Sequence, residues 1–190
     1  MTDPAFVELL TEVSKYLDQL SLEYAVTGSV ASSLFGEPHN TQDIDICLHM
    51  TKLQAAHLDR ILPPRFFRSQ EALQEAVERC SMANLVDMKS GIKVDLSVLS
   101  SKPYFDMVLE RRVRVPYREG GPEFWLVTPE DIILMKLLWR KDTRSQKQWD
   151  NALSVVHSMG MRLDWEYMRS WGDQLSIGED LQRLMREAGI

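Results

Sequence analysis

The chain has 190 residues, a net charge of −6 at pH 7 and a hydrophobic share of 44%. That length suits one domain, or one domain with an appended lobe, and the apolar share allows a true core. The negative charge makes the chain a poor candidate for gripping a nucleic-acid backbone, since that grip comes from Lys and Arg. Two cysteines give neither a disulfide framework nor metal-ligand spacing, and no apolar run is long enough for a membrane span. We therefore expect a cytoplasmic protein that does not enter a membrane.

The first 127 residues alternate between helical and strand patterns, which predicts an α+β core with a mixed β-sheet and helices packed mainly on one face. Asp3 is expected to cap the first helix, and Pro4 fits its first turn. Helices are predicted over residues 3–20, 29–35, 51–62 and 69–80, and strands over 24–27, 43–48, 85–88, 92–99, 112–115 and 124–127.

The pattern changes at Thr128. Thr128, Pro129 and Asp131 form a helix start, with a capping residue, a proline in the first turn and an acid three residues after the cap. Helical patterning continues from there to the end of the chain. The sequence therefore predicts a core over residues 1–127 and a C-terminal helical lobe over residues 128–190.

Three carboxylates occupy matching positions on two predicted strands. Asp43 and Asp45 are two residues apart, so they project from one strand face with Cα atoms roughly 7 Å apart. Asp95 lies on the polar face of a later strand and joins them if the two strands pair. Two carboxylates about 4 Å apart repel by about 4 kcal/mol at an effective dielectric near 20. A hard divalent ion removes that repulsion, so we expect Mg²⁺ or Mn²⁺ together with substrate phosphates.

Gly28 and Ser29 supply a second half of the expected site. A glycine lets the backbone approach a phosphate closely, and the following helix offers free N–H groups at its N-terminus. The Ser29 hydroxyl adds another donor. An anion at such a terminus gains typically ~0.3–1 kcal/mol, so this feature positions a phosphate more than it drives binding.

The residues that carry this chemistry resemble a known family. Val26-Thr27-Gly28-Ser29, then thirteen residues, then Asp43-Ile44-Asp45-Ile46 resembles the defining motif of the DNA-polymerase-β-like nucleotidyltransferase superfamily. Lys93-Val94-Asp95-Leu96 is similar to the strand that carries the third carboxylate of that superfamily. His39 stands where small bacterial members carry an arginine, and we expect a loop residue there. The lobe sequences beginning at Thr128, Ser145 and Leu163 resemble a small bacterial branch related to the AbiEii-type toxin nucleotidyltransferases.

The resemblance implies a fold, an activity and residue roles. It implies a nucleotidyltransferase-fold enzyme of the EC 2.7.7 type that moves a nucleotidyl group from an NTP to an acceptor hydroxyl and releases pyrophosphate. Asp43, Asp45 and Asp95 would bind metal, with Asp95 also helping to activate the acceptor. The acceptor would be RNA, tRNA or protein, and a toxin–antitoxin setting with an antitoxin partner is implied by analogy. The substrate-binding residues implied are Gly28, Ser29, Lys136 and Asp150.

Other interpretations of these residues stay open from the sequence. The fold could carry a non-catalytic module that senses nucleotide or binds a partner. Lys136 could extend from an apolar helix to solvent, and Asp150 could cap a helix or pair with Arg144. Lys93 reads as a solvated strand residue. The only basic cluster reads as a solvated strand face rather than an RNA track; it consists of Arg111, Arg112, Arg114 and Arg118.

Overall fold

A computed structural model describes residues 4–37 and 41–190, apart from the side chain of Asp142. Asp3 and His39, for which a helix cap and a loop position are predicted, lie outside the described residues. In chain order the elements are α1 (Pro4–Gln19), β1 (Glu23–Val26), α2 (Gly28–Phe35), β2 (Asp43–His49), α3 (Lys52–Ile61), β3 (Phe66–Phe67), α4 (Gln70–Arg79), β4 (Met82–Asp87), β5 (Lys93–Val98), α5 (Pro103–Glu110), β6 (Val113–Pro116), β7 (Glu123–Leu126), α6 (Pro129–Thr143), α7 (Gln146–Met159), α8 (Trp165–Gln174) and α9 (Gly178–Ala188), with a 3-10 turn at Gly160–Arg162.

The strands form one seven-stranded mixed sheet in the order β3-β4-β5-β2-β1-β7-β6. β2 pairs with β5 and β1 with β7 in parallel, and the other neighbours are antiparallel. The predicted α+β class with a mixed sheet is confirmed. Because α3, β3, α4 and β4 lie between β2 and β5 in the chain, the two carboxylate-bearing strands can run in the same direction side by side.

The two faces of β2 differ in how deeply their side chains are buried. Ile44 and Ile46 are fully buried, whereas Asp43 and Asp45 alternate onto the opposite face. Cys47 shares the aspartate face but is also fully buried, against the expectation of a half-buried strand along its whole length. The aspartate face of β2 is therefore open only toward the end at which the strand begins.

Two elements were not predicted from the sequence. The strand β3 has two residues, too few for a period of two to show. The helix α5 spans eight residues and its N-cap residue Lys102 makes no side-chain cap hydrogen bond, so both its length and its start give a weak signal. In addition, β4 begins at Met82, three residues before the predicted start. The pattern missed this start because Met82 is an apolar residue on the exposed face, where alternation leads one to expect a polar residue.

The helix α6 joins the sheet to the C-terminal helices. The Thr128 hydroxyl accepts a hydrogen bond from the Asp131 backbone N–H at 3.3 Å, which caps the helix as predicted. α6 packs on α7 and α8 and also touches α2, and one apolar cluster runs through the sheet and the helical part. A domain boundary at residue 128 stays a prediction. In the described ranges, no helix is both long and apolar enough to cross a bilayer.

Candidate active site

The parallel pairing of β2 with β5 brings the predicted carboxylates together. Asp45 lies directly opposite Asp95 in the register, and Asp43 lies opposite Lys93. Cross-strand partners point to the same side of a sheet, so the three aspartates and Lys93 share one face. The backbone of β1 extends toward the same place, since the Thr27 N–H donates to the Asp45 carbonyl oxygen at 2.9 Å.

Asp45 is in the most constrained electrostatic position. Burial, followed by repulsion from Asp95, raises the pKa of the Asp45 carboxyl above its usual range. A hydrogen bond from the Ser29 backbone N–H lowers it in part, Asp43 raises it further, and Lys136 opposes that shift. A carboxylate crowded by two others gains most from a bound cation, which is the electrostatic basis for expecting a metal here.

Gly28 and Ser29 lie at the N-terminus of α2, against Asp45. Gly28 has a φ of +63°, and a Cβ on it would overlap the Asp45 carboxylate. Only glycine meets both demands, since side chains rarely adopt this backbone conformation. The N-cap residue Thr27 makes no side-chain cap hydrogen bond. The first N–H groups of α2 are therefore left to the Asp45 carboxylate and to any anion that binds in front of the helix.

Lys136 is buried in α6 with 3% of its surface exposed, so its ammonium does not extend to solvent. Burial lowers the pKa of Lys136 to about 8, while attraction to Asp45 opposes that shift. Its Nζ donates a hydrogen bond to Gln148 Oε1 at 3.3 Å. This cation therefore lies near enough to Asp45 to attract its charge, and a phosphate-binding role for it stays a prediction.

Lys93 is a site residue that the sequence analysis did not identify. Its Nζ lies 2.8 Å from Asp95 Oδ2 and 4.0 Å from Asp43 Oδ1, and its side chain is 36% exposed. The hydrogen bond to Asp95 is the main reason that the pKa of Lys93 is raised above its usual value. The spacing gave a signal, because residues 93 and 95 alternate onto the same strand face. Only the parallel register, which sets Lys93 opposite Asp43, shows that the ammonium spans two carboxylates.

The donor atoms suit a hard divalent ion. Asp95 is 5% exposed, and its buried Oδ1 atom has no hydrogen-bond partner among the described residues. A buried oxygen in that condition calls for a donor or a cation. Asp43 is half-buried, and Asp45 lies close to the negative charges of Asp43 and Asp95. Carboxylate oxygens are the ligands that Mg²⁺ prefers. In residues 4–37 and 41–190, however, no three Asp, Glu, His or Cys side chains are already arranged around a common metal position.

Asp150 is not placed with the three aspartates by any described bond. It lies on the exposed surface of α7, where Gln146 Nε2 donates to its carboxylate at 2.7 Å. Among the described residues no ion pair joins Asp150 to Arg144, the residue that ends α6. A substrate-binding role for Asp150 stays a prediction.

Three of the four clustered arginines have partners within the protein. Arg111 lies near Glu130 and Asp131, with its guanidinium 3.9 Å from the centre of the Tyr167 ring. Arg112 and Arg114 both lie over the Trp125 ring, at 4.8 and 5.1 Å. These contacts are typical of a packed edge of the sheet, and they leave this cluster a weak candidate for a nucleic-acid track.

Solved structures with the same architecture are nucleotidyltransferase-like proteins. An antigenic nucleotidyltransferase-like protein from Paracoccidioides brasiliensis aligns with a TM-score of 0.53 at 18% identity, over 96% of this chain and 91% of its own. The antibiotic-resistance factor ANT(2'')-Ia aligns with a TM-score of 0.57 at 12% identity, over 96% and 98% of the two chains. A candidate nucleotidyltransferase from Thermotoga maritima aligns with a TM-score of 0.50 at 18% identity, over 80% and 96%.

Identities this low show a shared fold rather than a shared substrate. The chain therefore has the nucleotidyltransferase-like fold that its motifs predict, and its place in the AbiEii-type branch stays a prediction. No protein-family model matches the sequence. No curated protein matches it either.

Proposed function

We propose that this chain transfers a nucleotidyl group from an NTP to an acceptor hydroxyl and releases pyrophosphate. The observation that carries the proposal is the parallel register of β2 and β5, which sets Asp45 opposite Asp95 beside the Gly28 turn. A crowded set of carboxylates next to an uncapped helix N-terminus is suited to a triphosphate with its cation. It has no comparable use in stabilising the fold, because like charges held together cost free energy.

The triphosphate binds on the α2 side of β2 in this proposal. The Ser29 hydroxyl and the N–H groups of α2 that follow Ser29 face the phosphates, and Lys136 closes the pocket from α6. Lysine serves as a point charge on phosphate oxygens. Asp43, Asp45 and Asp95 would hold Mg²⁺ or Mn²⁺ together with those phosphate oxygens. When bound, the ion offsets the charge that develops on the α-phosphate and on the leaving pyrophosphate.

The acceptor approaches from the opposite side of β2, over β5. The nucleotide occupies the α2 side, and in-line displacement requires the nucleophile opposite the leaving group. The acceptor oxygen forms a bond to the α-phosphorus, the bond from that phosphorus to the bridging oxygen of the β-phosphate breaks, and pyrophosphate leaves. Asp95 accepts the hydroxyl proton, as the third carboxylate does in the family that the sequence resembles. The adjacent position on β4 is Asn84, which is exposed beside Asp95 and adds a polar contact for the acceptor.

A labelled-transfer assay tests this function. Each [α-³²P]NTP is incubated with the protein and Mg²⁺ in separate arms that contain total RNA, total protein or hydroxylated antibiotics. The antibiotic arm follows from the likeness to a resistance factor. We expect label in one arm, with release of pyrophosphate, no transfer from [γ-³²P]NTP and transfer by Asp45→Asn reduced on the order of 10³-fold. Toxicity on expression, relieved by the same substitution, would support a toxin-like role in the cytoplasm, and a neighbouring antitoxin should then bind the wild-type chain.

One observation favours a second function, a nucleotide-sensing or partner-binding module. Lys93 already pairs with Asp95, the carboxylate that the reaction requires as a base. A sensing module would bind an NTP with Mg²⁺ in calorimetry and would transfer label in none of the three arms. Binding without transfer over a broad set of acceptors would therefore reject the enzyme and retain the module.

A further inference from the structure

The site contains its own cation on the acceptor side. Lys93 precedes Asp95 by two residues on β5 and lies opposite Asp43 on β2. Both constraints direct its side chain onto the aspartate face. Its Nζ is 2.8 Å from Asp95 Oδ2 and 4.0 Å from Asp43 Oδ1, so one ammonium spans carboxylates that belong to two different strands.

This is the position that a second metal ion would need. Two-metal sites for phosphoryl chemistry hold their ions about 3.5–4 Å apart and share carboxylates between them. An ion bridging Asp95 Oδ2 and Asp43 Oδ1 would collide with the ammonium. The atoms left for a metal are those of Asp45, the second oxygen of Asp43 and the unpartnered Asp95 Oδ1. These suffice for one ion completed by phosphate oxygens and water.

The charges around the carboxylates agree with a single divalent ion at the site. Lys136 faces Asp45 from α6, while Lys93 faces Asp43 and Asp95 from β5. Together the two lysines carry as much positive charge as one divalent ion. One divalent ion plus these lysines would therefore balance three carboxylates and a triphosphate as fully as two divalent ions would without them.

We propose that the Lys93 ammonium permanently takes the place of one of the two cations, so that the chain binds a single divalent ion with each nucleotide. The inference rests on the proposed function only in that a nucleotide binds at the site. The role of Lys93 toward the carboxylates does not depend on that function. Lys93 is a positioning residue here. It fixes Asp95 Oδ2 and leaves Oδ1 as the oxygen available to the metal.

Metal stoichiometry tests the proposal directly. Mn²⁺ is titrated into the protein with the α,β-methylene analogue of each of the four NTPs, and bound ions are counted by electron paramagnetic resonance. The wild type should bind one Mn²⁺ per chain, and Lys93→Met should bind two. Lys93→Arg, which keeps the charge, should bind one. Lys89→Met is the matched control, because Lys89 is exposed on the neighbouring turn, and it should also bind one.

A titration with Mn²⁺ alone separates this proposal from the proposed function. Removal of the ammonium should tighten Mn²⁺ binding by roughly tenfold or more, since a like charge about 4 Å from the ion is lost. Lys93→Gln provides a second uncharged variant if Lys93→Met does not fold by circular dichroism. If no nucleotide analogue binds but both uncharged variants gain Mn²⁺ affinity, the proposed function fails and the role of Lys93 as the resident cation is supported.

Two outcomes would overturn the inference. The first is a wild-type protein that binds two Mn²⁺ with nucleotide, because Lys93 would then be displaced rather than resident. The second is an uncharged variant that binds Mn²⁺ with the stoichiometry and affinity of the wild type, because Lys93 would then have no influence on the metal.

Discussion

Two groups of carboxylates in this molecule differ in how fully their oxygens are paired. The first lies where α6 begins. There Asp131 is fully buried, and its two oxygens accept hydrogen bonds from the Tyr167 hydroxyl at 2.7 Å and the Thr128 hydroxyl at 2.8 Å. Arg111 Nε lies 3.7 Å from the same carboxylate. The second group is Asp43, Asp45 and Asp95, where Asp95 Oδ1 has no hydrogen-bond partner within residues 4–37 and 41–190 and Asp45 is crowded by the other two.

Under the proposed function, the difference separates a group that stabilises the fold from a group that binds metal and nucleotide. A buried polar network with its hydrogen bonds satisfied stabilises one conformation, and loss of a member leaves the others unpaired. At Asp131 this network ties together the end of α5, the start of α6 and α8. The three aspartates on β2 and β5 instead carry repulsion that Lys93 and Lys136 remove only in part, since the pKa of Asp45 stays raised. A bound cation and nucleotide would remove it, so stability is lower there than it could be without that function.

Paired substitutions at the two groups give the largest expected effects. Asp45→Asn should reduce nucleotidyl transfer on the order of 10³-fold, because the nucleotide and its metal lose a ligand. Its free energy of unfolding should stay the same or rise, since repulsion from Asp95 is relieved. Asp131→Asn should lower the free energy of unfolding by about 2–4 kcal/mol, because Arg111 and the two hydroxyls lose a charged partner. Both are measured by labelled transfer and urea unfolding.

Each of these variants is the control for the other. Both replace a buried carboxylate with an amide of the same shape, so a general effect of the substitution would appear in both. If Asp45→Asn unfolds the protein as readily as Asp131→Asn does, the site carboxylates have a structural role and the comparison fails.

Gly28→Ala should give the next largest effect. The new Cβ would overlap the Asp45 carboxylate and would also strain the backbone at a φ of +63°. We expect transfer to fall about 10²-fold and stability by about 1–3 kcal/mol. Gly120→Ala is the matched control, because Gly120 has a φ of +68° and open space around its Cβ position. Equal effects of the two substitutions in both assays would show that backbone strain, rather than contact with Asp45, accounts for the loss.

Lys136→Met tests the buried cation through stability and pH. Burial lowers the pKa of Lys136 from 10.5 to about 8. Below pH 8 the folded and unfolded chains are both protonated at this residue, and the fold bears the full cost of the buried ammonium. Between about pH 8 and 10.5 the unfolded chain binds more protons, so wild-type stability gains from this residue as pH rises. At pH 7 we expect Lys136→Met to be more stable by on the order of 2–3 kcal/mol.

The measurement is urea unfolding of both proteins at pH 7 and near pH 10, with Lys15→Met as the control at an exposed lysine. The advantage of Lys136→Met should shrink at the higher pH, while nucleotide affinity falls about tenfold from loss of a phosphate partner. A variant that is less stable than the wild type at pH 7 would show that the hydrogen bond to Gln148 outweighs burial of the charge.

Much of this arrangement could be predicted from the sequence. Strict alternation in residues 43–48 and 92–99 placed the aspartates on strand faces, because side chains on a strand alternate with a period of two. A glycine before a short helix predicted the turn at Gly28. The caps at Thr128 and Ser69 predicted helix starts that the structure confirms.

The remaining features depend on which strands become neighbours. Lys93 reads as solvated by itself, and only its position opposite Asp43 makes it part of the site. The same holds for Asp131, whose partner Tyr167 lies 36 residues further along the chain. Local patterns specify the face on which a side chain lies, but not the element that packs against that face. The two carboxylate groups therefore could not be told apart before the structure.

The smallest predicted effect concerns one hydroxyl in the structural group. Tyr167→Phe removes the hydrogen bond to Asp131 Oδ1 but keeps the ring that Arg111 stacks upon. We expect a loss of about 1–1.5 kcal/mol in the free energy of unfolding, because a buried carboxylate oxygen loses its donor. Tyr117→Phe is the control: the Tyr117 ring packs edge-on against Phe124, and among the described residues its hydroxyl has no hydrogen-bond partner. Nucleotidyl transfer at 20 °C should be the same for both variants and the wild type, since the Tyr167 hydroxyl bonds to Asp131 and not to the carboxylates on β2 and β5. A drop in transfer confined to Tyr167→Phe, with stability unchanged, would place Asp131 and Tyr167 in the reaction and remove the distinction between the two groups.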